Sequence, residues 1–158
     1  MKELQITTPI VVMQYDELDP TDRSLVDAAR EATFRAYSPY SHFSVGAAIL
    51  LDNGETVTGS NQENAAYPSS LCAERTAAYY AHSRYPDAKF MTIAIAARET
   101  SGNEIKMPIS PCGACRQALL EYETLASHNV KVILAGAGEC YILPSVKSLM
   151  PLSFTEFE

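Results

Sequence analysis

The sequence predicts a three-layer α/β/α fold around a mixed five-stranded sheet. A strong turn signal makes the first two strands an antiparallel hairpin, and strands that alternate with helices later in the chain favour parallel pairing with helices on both faces. At 158 residues, 47% of them hydrophobic, the chain suits one domain with a real core and is short for two. We expect an N-terminal extension over residues 1–20 and a single domain over residues 21–158.

The first helix and the hairpin follow from local signals. Asp19-Pro20-Thr21-Asp22 is a typical helix start, and small apolar residues recur at helical spacing until Ser38-Pro39 interrupts them. Residues 43–51 form a continuous β-prone run. Asp52-Asn53-Gly54-Glu55 favours a type I′ turn, because asparagine and glycine tolerate positive φ angles, and residues 56–60 then return as the second strand.

Helices and strands alternate in the second half. A helical pattern that begins at Ala73 ends at Tyr85-Pro86-Asp87, and another helix follows Cys112. The remaining patterns are apolar runs typical of buried strands and one short terminal helix. They predict strands over 90–97, 130–135 and 139–143, and a helix over 145–150.

Charge and the start of the chain narrow the function classes. The formal net charge is -7, so long-range attraction to nucleic acid or to an anionic membrane is not expected, and a small neutral substrate fits better. The acidic first twenty residues are not a signal peptide, and no stretch is apolar for long enough to span a membrane. We therefore expect a cytoplasmic protein, in which clustered cysteines bind metal or do redox chemistry more often than they form disulfides.

Three cysteines and one glutamate carry most of the chemical information. Cys72-Ala73-Glu74 opens one predicted helix, and Pro111-Cys112-Gly113-Ala114-Cys115 opens the next. Helix N-termini stabilise thiolates, and three thiolates around a zinc ion leave its fourth tetrahedral position open to water. Glu74 is close enough in sequence to reach that water without being a ligand, which is the place for a general base.

Other interpretations of the cysteines remain open at this point. Cys112 and Cys115 at a helix start also match a thioredoxin-type dithiol, although such an oxidoreductase has no need of Cys72-Ala73-Glu74. A non-enzymatic module stabilised by a closed zinc site would need a fourth ligand. The candidates for that ligand, none of them spaced to form a second paired clamp, are Cys140, His42, His82 and His128.

The motifs together resemble the zinc-dependent cytidine deaminases, specifically their small, homotetrameric, three-cysteine type. The segments that carry this resemblance are in family order and spacing: Tyr40 to Ala48, Asn61 to Pro68, Cys72 to Arg75, Pro111 to Gln117 and Leu149 to Phe154. The likeness runs from about Tyr37 to Phe154. It leaves the first twenty residues without a functional interpretation.

The resemblance implies hydrolytic deamination at C4 of cytosine in cytidine and deoxycytidine, within pyrimidine salvage. One Zn²⁺ per subunit would be held by Cys72, Cys112 and Cys115, and Glu74 would act as base and acid in turn. Arg75 would draw charge from a ligand sulfur. Gln117 would buttress the site.

The resemblance also assigns the substrate contacts. Asn61 and Glu63 would bond the ribose hydroxyls, Phe43 would stack on the nucleoside, and the backbone near Ala73 would read the base edge. Tyr67 and Phe154 resemble aromatic residues that the family contributes across subunit boundaries, so a homotetramer would complete each active site.

Related deaminases form the nearest alternatives. Aminonucleoside-antibiotic deaminases share the metal motifs but usually lack the Asn-x-Glu-Asn-Ala segment, which this chain has at residues 61–65. Polynucleotide-editing relatives typically use His-x-Glu and need basic grooves that do not suit an acidic chain.

Overall fold

The computed structural model describes residues 1–99 and 101–155. Within those residues, three helices accompany a six-stranded mixed sheet of order β1-β6-β5-β4-β2-β3. The helices are α1 (Pro20–Ala32), α2 (Ala73–Arg84) and α3 (Gly113–Ala126). The strands are β1 (Val11–Gln14), β2 (Ser44–Leu51), β3 (Thr56–Ser60), β4 (Phe90–Arg98), β5 (Lys131–Ala135) and β6 (Glu139–Leu143). None of these helices is long and apolar enough to cross a membrane.

The sheet differs from the predicted one in its strand count. We expected five strands and assigned residues 1–20 to an extension, but Val11–Gln14 pairs antiparallel with β6 and adds a sixth strand at the edge. The run of apolar residues that forms β1 is short, so its pattern alone does not distinguish a strand from an irregular segment. Pairing with a strand about 130 positions later decides the matter.

The prediction of parallel later strands is right for one pair and wrong for the next. β4 and β5 are parallel, with α3 in the connection between them. β5 and β6 are antiparallel, because only residues 136–138 join them and parallel strands need a crossover of a dozen or more residues. The hairpin β2–β3 is antiparallel, as predicted. The terminal helix expected over 145–150 is only a 3-10 turn at Lys147–Leu149.

Two helical layers enclose the sheet, which confirms the three-layer architecture. Alternation along β4 separates the faces: Ile93 and Ile95 belong to the core that includes residues of α2 and α3, whereas Ala94 and Ala96 belong to the core that includes residues of α1. Small residues on the α1 side allow that helix to lie close to the sheet. Helix α1 ends at Ala32, before the predicted stop at Ser38-Pro39, because a 3-10 turn follows from Thr33.

Glycines set how closely two helices approach the hairpin. A Cβ at Gly46 would lie 2.1 Å from the Ala29 carbonyl oxygen in α1, and one at Gly59 would lie 2.4 Å from the Ala77 nitrogen in α2. Side chains at these positions would collide with helix backbone. The sheet therefore fixes where α2 lies, and with it the helix N-terminus that begins after Cys72.

Candidate active site

Three cysteine sulfurs converge where the N-termini of α2 and α3 meet. The Sγ atoms of Cys72, Cys112 and Cys115 all lie within 4.8 Å of one another, and the Cys72–Cys112 separation is 4.0 Å. Cys72 is the N-cap of α2, Cys112 is the N-cap of α3, and Cys115 lies one turn into α3. Among the residues that the structure describes, this is the one group of three or more side chains suited to holding a metal ion.

Local sequence explains why both helices present a cysteine at this position. Cys72 and Cys112 have extended backbone conformations, with ψ of 156° and 165°, and neither side chain forms a capping hydrogen bond to its own helix. The backbone N–H groups of each first turn lack an intrahelical acceptor and carry partial positive charge. The two helix ends therefore favour negative charge on the sulfurs between them.

The arrangement fits zinc. Tetrahedral zinc with Zn–S bonds near 2.3 Å places its ligand sulfurs about 3.8 Å apart, which matches the Cys72–Cys112 separation of 4.0 Å. Thiolates also favour zinc over the harder divalent ions. The suggested fourth ligands stay out of the cluster: Cys140 is buried on the α1 side of the sheet, His82 packs against Tyr122, and the His128 ring bonds the Asn129 carbonyl.

The sulfurs share protons unequally. Hydrogen bonds from the Cys115 thiol and from the Arg75 guanidinium lower the pKa of Cys72 to about 5, against the opposing effect of burial. The bond donated to Cys72, together with burial, raises the pKa of Cys115. Cys72 is therefore a thiolate at neutral pH, which is the form that binds a metal ion.

Glu74 lies beside the sulfurs in the first turn of α2. Its side chain is buried, with the residue only 4% exposed. Desolvation by burial raises the pKa of the Glu74 carboxyl, and the negative charge on Cys72 acts in the same direction. A buried carboxyl with a raised pKa accepts and holds a proton more readily than an exposed one, which suits a group that transfers protons.

Arg75 directs its guanidinium at a ligand sulfur. Its Nη2 lies 3.8 Å from Cys72 Sγ, and this hydrogen bond raises the pKa of the arginine. Its Nε is buried, and within the described part of the chain it has no hydrogen-bond partner. A positive group with a spare buried donor beside three sulfurs matches a site that carries excess negative charge.

The two residues predicted to bind ribose, Asn61 and Glu63, lie next to the metal cluster and also bond the segment of residues 40–45. Gln62 pairs with Leu71 through two backbone hydrogen bonds of 2.8 and 3.0 Å, which brings Asn61 and Glu63 alongside the residue that precedes Cys72. Asn61 accepts from the Val45 amide at 2.7 Å and donates to the Phe43 carbonyl at 2.8 Å.

Glu63 holds the same loop from the other side. One carboxylate oxygen accepts from the Tyr40 and Ser41 amides at 2.8 and 3.2 Å. Hydrogen bonds from the Ser41 side chain and from these amides lower the pKa of Glu63. With Tyr40, Ser41, Tyr67 and Ser70, this carboxylate lines an open cavity of about 410 Å³.

The predicted aromatic residues are largely exposed in the single chain. Tyr67 is 70% exposed and packs edge-on against Tyr40, with ring centroids 5.5 Å apart. Phe154 is 64% exposed, and its carbonyl accepts a 2.9 Å hydrogen bond from Gln117 Nε2. Gln117 thus contacts the C-terminal segment, and none of its described bonds reaches the sulfurs.

Arg116 and Glu123 form hydrogen bonds that their sequence positions do not predict. The Arg116 side chain donates to Pro111, Leu149 and Ser110, and the buried Glu123 carboxylate accepts from the backbone of Val130, Val146 and Lys147. Arg116 belongs to the motif from Pro111 to Gln117, so its position could have marked it as a candidate site residue. Its hydrogen-bond partners cannot be identified from the sequence. Nothing in the sequence distinguishes Glu123 from a surface glutamate.

A mixed α/β sheet that carries three thiolates and a buried glutamate at paired helix N-termini defines a mononuclear zinc enzyme with one coordination position left for reaction. A family model described as the cytidine and deoxycytidylate deaminase zinc-binding region matches residues 19–130. The chain belongs to this family, as the motifs predicted, and Zn²⁺ is its cofactor.

Relatives and solved structures agree with that assignment. The chain is 39% identical over 131 residues to a cytidine deaminase of Halalkalibacterium halodurans, which covers 83% of this chain and 92% of the relative. It is 42% identical over 106 residues to one of Mycobacterium tuberculosis, covering 65% and 74%. The crystal structure of cytidine deaminase from Burkholderia pseudomallei matches with a TM-score of 0.69 and 35% identity, over 83% of this chain and 97% of that one.

Proposed function

We propose that this protein catalyses the hydrolytic deamination of cytidine and deoxycytidine to uridine and deoxyuridine, releasing ammonia. The observation that carries the proposal is the convergence of three sulfurs beside the buried Glu74 carboxyl at two helix N-termini. The names of the relatives, which are cytidine deaminases, support the choice of substrate. A small neutral nucleoside also suits a chain with a formal net charge of -7.

Glu74 is the proton carrier in this mechanism. Zinc, when bound by the three cysteines, supplies Lewis acidity that lowers the pKa of a coordinated water toward neutrality. Glu74 accepts the proton released from water and passes it to N3 of the ring, so that C4 becomes electrophilic. After the remaining hydroxide adds to C4, Glu74 accepts the hydroxyl proton and delivers it to the amino group; the C4–N bond breaks, ammonia leaves and the C4 carbonyl of uridine forms. Burial supports this role, because it raises the pKa of the carboxyl.

Arg75 adjusts the charge of the centre. Three thiolates on one Zn²⁺ leave a net negative site, which weakens its acidity toward water. A guanidinium hydrogen bond to Cys72 Sγ draws charge away from that sulfur and so partly restores the acidity.

Residues near the metal site hold the nucleoside. Asn61 and Glu63 bond the ribose, Phe43 stacks on the nucleoside, and the backbone at Ala73 reads the base edge. Glu63 also opposes a 5′-phosphate by like-charge repulsion. The pairing of Gln62 with Leu71, which brings this segment beside Cys72, supports the assignment.

Assembly completes the site. Tyr67 and Phe154 are largely exposed in the single chain and act on a neighbouring subunit's substrate within a homotetramer. Gln117 buttresses the site by holding the segment that carries Phe154. The enzyme works in the cytoplasm, in pyrimidine salvage.

One assay tests the proposal. The zinc-loaded enzyme is offered cytidine, deoxycytidine and cytidine monophosphate, and the loss of the cytosine absorbance is followed with metal analysis of the same sample. We expect about one zinc per chain, turnover of both nucleosides and little turnover of the nucleotide. An aminonucleoside antibiotic of the blasticidin type is the comparison substrate. Turnover of that compound with inert nucleosides would contradict the proposal.

A further inference from the structure

All three guanidinium nitrogens of Arg116 donate hydrogen bonds. Nε donates to the Pro111 carbonyl at 2.8 Å, Nη1 to the Leu149 carbonyl at 2.7 Å and Nη2 to Ser110 Oγ at 2.8 Å. A guanidinium presents its donors in a rigid planar fork, so three bonds in three directions fix the groups around it.

One side-chain bond and one backbone bond from Arg116 reach the peptide groups on either side of Cys112. The Nε bond holds the carbonyl of the preceding residue, Pro111, and the backbone N–H of Arg116 donates to the Cys112 carbonyl at 2.9 Å. One residue therefore orients both peptide groups that flank this ligand. Those two peptide planes set the backbone from which the Cys112 side chain extends toward the other two sulfurs.

Cys112 needs this support more than the other ligands do. Cys115 is buried inside α3, and Leu71, which precedes Cys72, is paired with Gln62 through its N–H and its carbonyl. Pro111 has no N–H and cannot be paired in that way. Cys112 itself is exposed, so side-chain packing does not fix it either.

The bond from Arg116 Nη1 to the Leu149 carbonyl joins the metal centre to the C-terminal segment, which we define as residues 144–155. Glu123 accepts from the Val146 and Lys147 amides at 2.7 and 3.1 Å, Arg116 bonds the Leu149 carbonyl, and Gln117 bonds the Phe154 carbonyl. α3 thus holds this segment at three points. Among the hydrogen bonds of the described residues, those of the Arg116 side chain join the segment to the turn before Cys112.

We propose that Arg116 is a positioning residue of the metal centre, which sets the geometry of Cys112 and couples the zinc site to the C-terminal segment. The proposal rests on the proposed function for its zinc site. It differs from the role of Arg75, because the Arg116 bonds go to backbone and hydroxyl oxygens and the Arg75 bond goes to sulfur.

Zinc release from two variants tests the first half of the proposal. In zinc-loaded Arg116→Gln, transfer of zinc to a chromogenic chelator should be faster by about 10- to 100-fold, the usual cost of losing a group that orients a ligand. Arg116→Lys should lie between, because an ammonium can replace only part of the fork. The matched control is Arg23→Gln in α1, which should release zinc at the wild-type rate.

Cobalt substitution gives a readout that simple destabilisation does not change. The ligand-field bands of the Co²⁺ forms of Arg116→Gln and Arg116→Lys should shift, while those of Arg23→Gln match the wild type. A folded Arg116→Gln or Arg116→Lys protein with the wild-type release rate and spectrum would overturn the proposal. Failure of the wild type to deaminate cytidine would instead contradict the proposed function, since neither readout depends on turnover.

Hydrogen exchange in the unaltered enzyme tests the coupling without any variant. Removing zinc with a chelator should speed amide exchange in residues 144–150, whereas α1 should keep its protection. Unchanged exchange in residues 144–150 after complete zinc removal would contradict the coupling.

Discussion

The N-terminus of α1 differs from those of α2 and α3 in whether a side chain accepts hydrogen bonds from its backbone N–H groups. Asp19 caps α1, and its carboxylate accepts the Asp22 amide at 2.9 Å. α2 and α3 begin at Cys72 and Cys112, whose side chains form no such bond. A capped helix end contributes stability to its own helix, whereas an uncapped one keeps its N–H groups and partial charge available to a bound anion. The fold places the first kind on one face of the sheet and the second kind at the zinc site.

The two uncapped ends also differ from each other. Each has an arginine about one turn from its N-cap cysteine, Arg75 in α2 and Arg116 in α3. Arg75 reaches a sulfur, where we propose that it acts on charge, while Arg116 reaches oxygens, where we propose that it acts on geometry. Similar positions along a helix can therefore serve different physical purposes, depending on what lies opposite.

The largest effect is expected from replacing the Glu74 carboxyl at the uncapped N-terminus of α2. Glu74→Gln keeps the volume of the side chain but cannot carry a proton, so kcat should fall by about 10²- to 10⁴-fold while one zinc per chain is retained. Stopped-flow assays with metal analysis measure both. Glu121→Gln, an exposed position on α3, is the matched control. Normal turnover in metal-replete Glu74→Gln would remove Glu74 from its assigned role.

Arg75→Gln should reduce kcat by a smaller factor, about 10- to 100-fold, because the Cys72 sulfur would keep its full charge and zinc would be less acidic. Zinc release should stay near the wild-type rate, in contrast to Arg116→Gln. Paired measurements of kcat and zinc transfer check this separation of charge from geometry. If the two arginine variants showed the same pattern, the distinction would be lost.

A matched pair of glycine variants separates packing on the two faces. Gly46→Ala and Gly59→Ala each place a Cβ against helix backbone, so each should lower the free energy of unfolding by about 1–3 kcal/mol. Only Gly59→Ala displaces α2, and so only this variant should also release zinc faster. Chemical denaturation and the chelator assay measure the two effects. Equal zinc release in both variants would argue against a link from β3 to the site.

The smallest expected effect lies at the capped end. Asp19→Ala should cost about 1 kcal/mol of stability and leave zinc content and turnover unchanged. The Asp22 amide holds the pKa of Asp19 below its ordinary value, so the cap stabilises the fold above that ordinary value and loses its effect as pH falls through the folded-state pKa. Denaturation at neutral and acidic pH should therefore show the difference from wild type shrinking with acid. A constant difference would mean that the carboxylate is not the cap.

Short motifs predicted the centre of the site well, because its chemistry is local. Cys112 and Cys115 lie on one turn, and Glu74 and Arg75 lie within three residues of Cys72, so helix geometry alone brings each group together. The hairpin was predictable for the same reason. Asn61 and Glu63 were predicted as ribose contacts, a role that stays a prediction, but their hydrogen bonds to the backbone of Tyr40 and Val45 were not.

The sequence by itself determined the ligand set, the family, the starts of the three α-helices and the hairpin, since each depends on residue type and short spacing. Tertiary structure decided that Val11–Gln14 joins β6, that β5 and β6 are antiparallel, and that Arg116 reaches Leu149. These features depend on which distant backbone groups are left to be paired once the layers have packed. Unpaired polar groups are costly to bury, but their partners are chosen by the whole fold, so no local pattern encodes them.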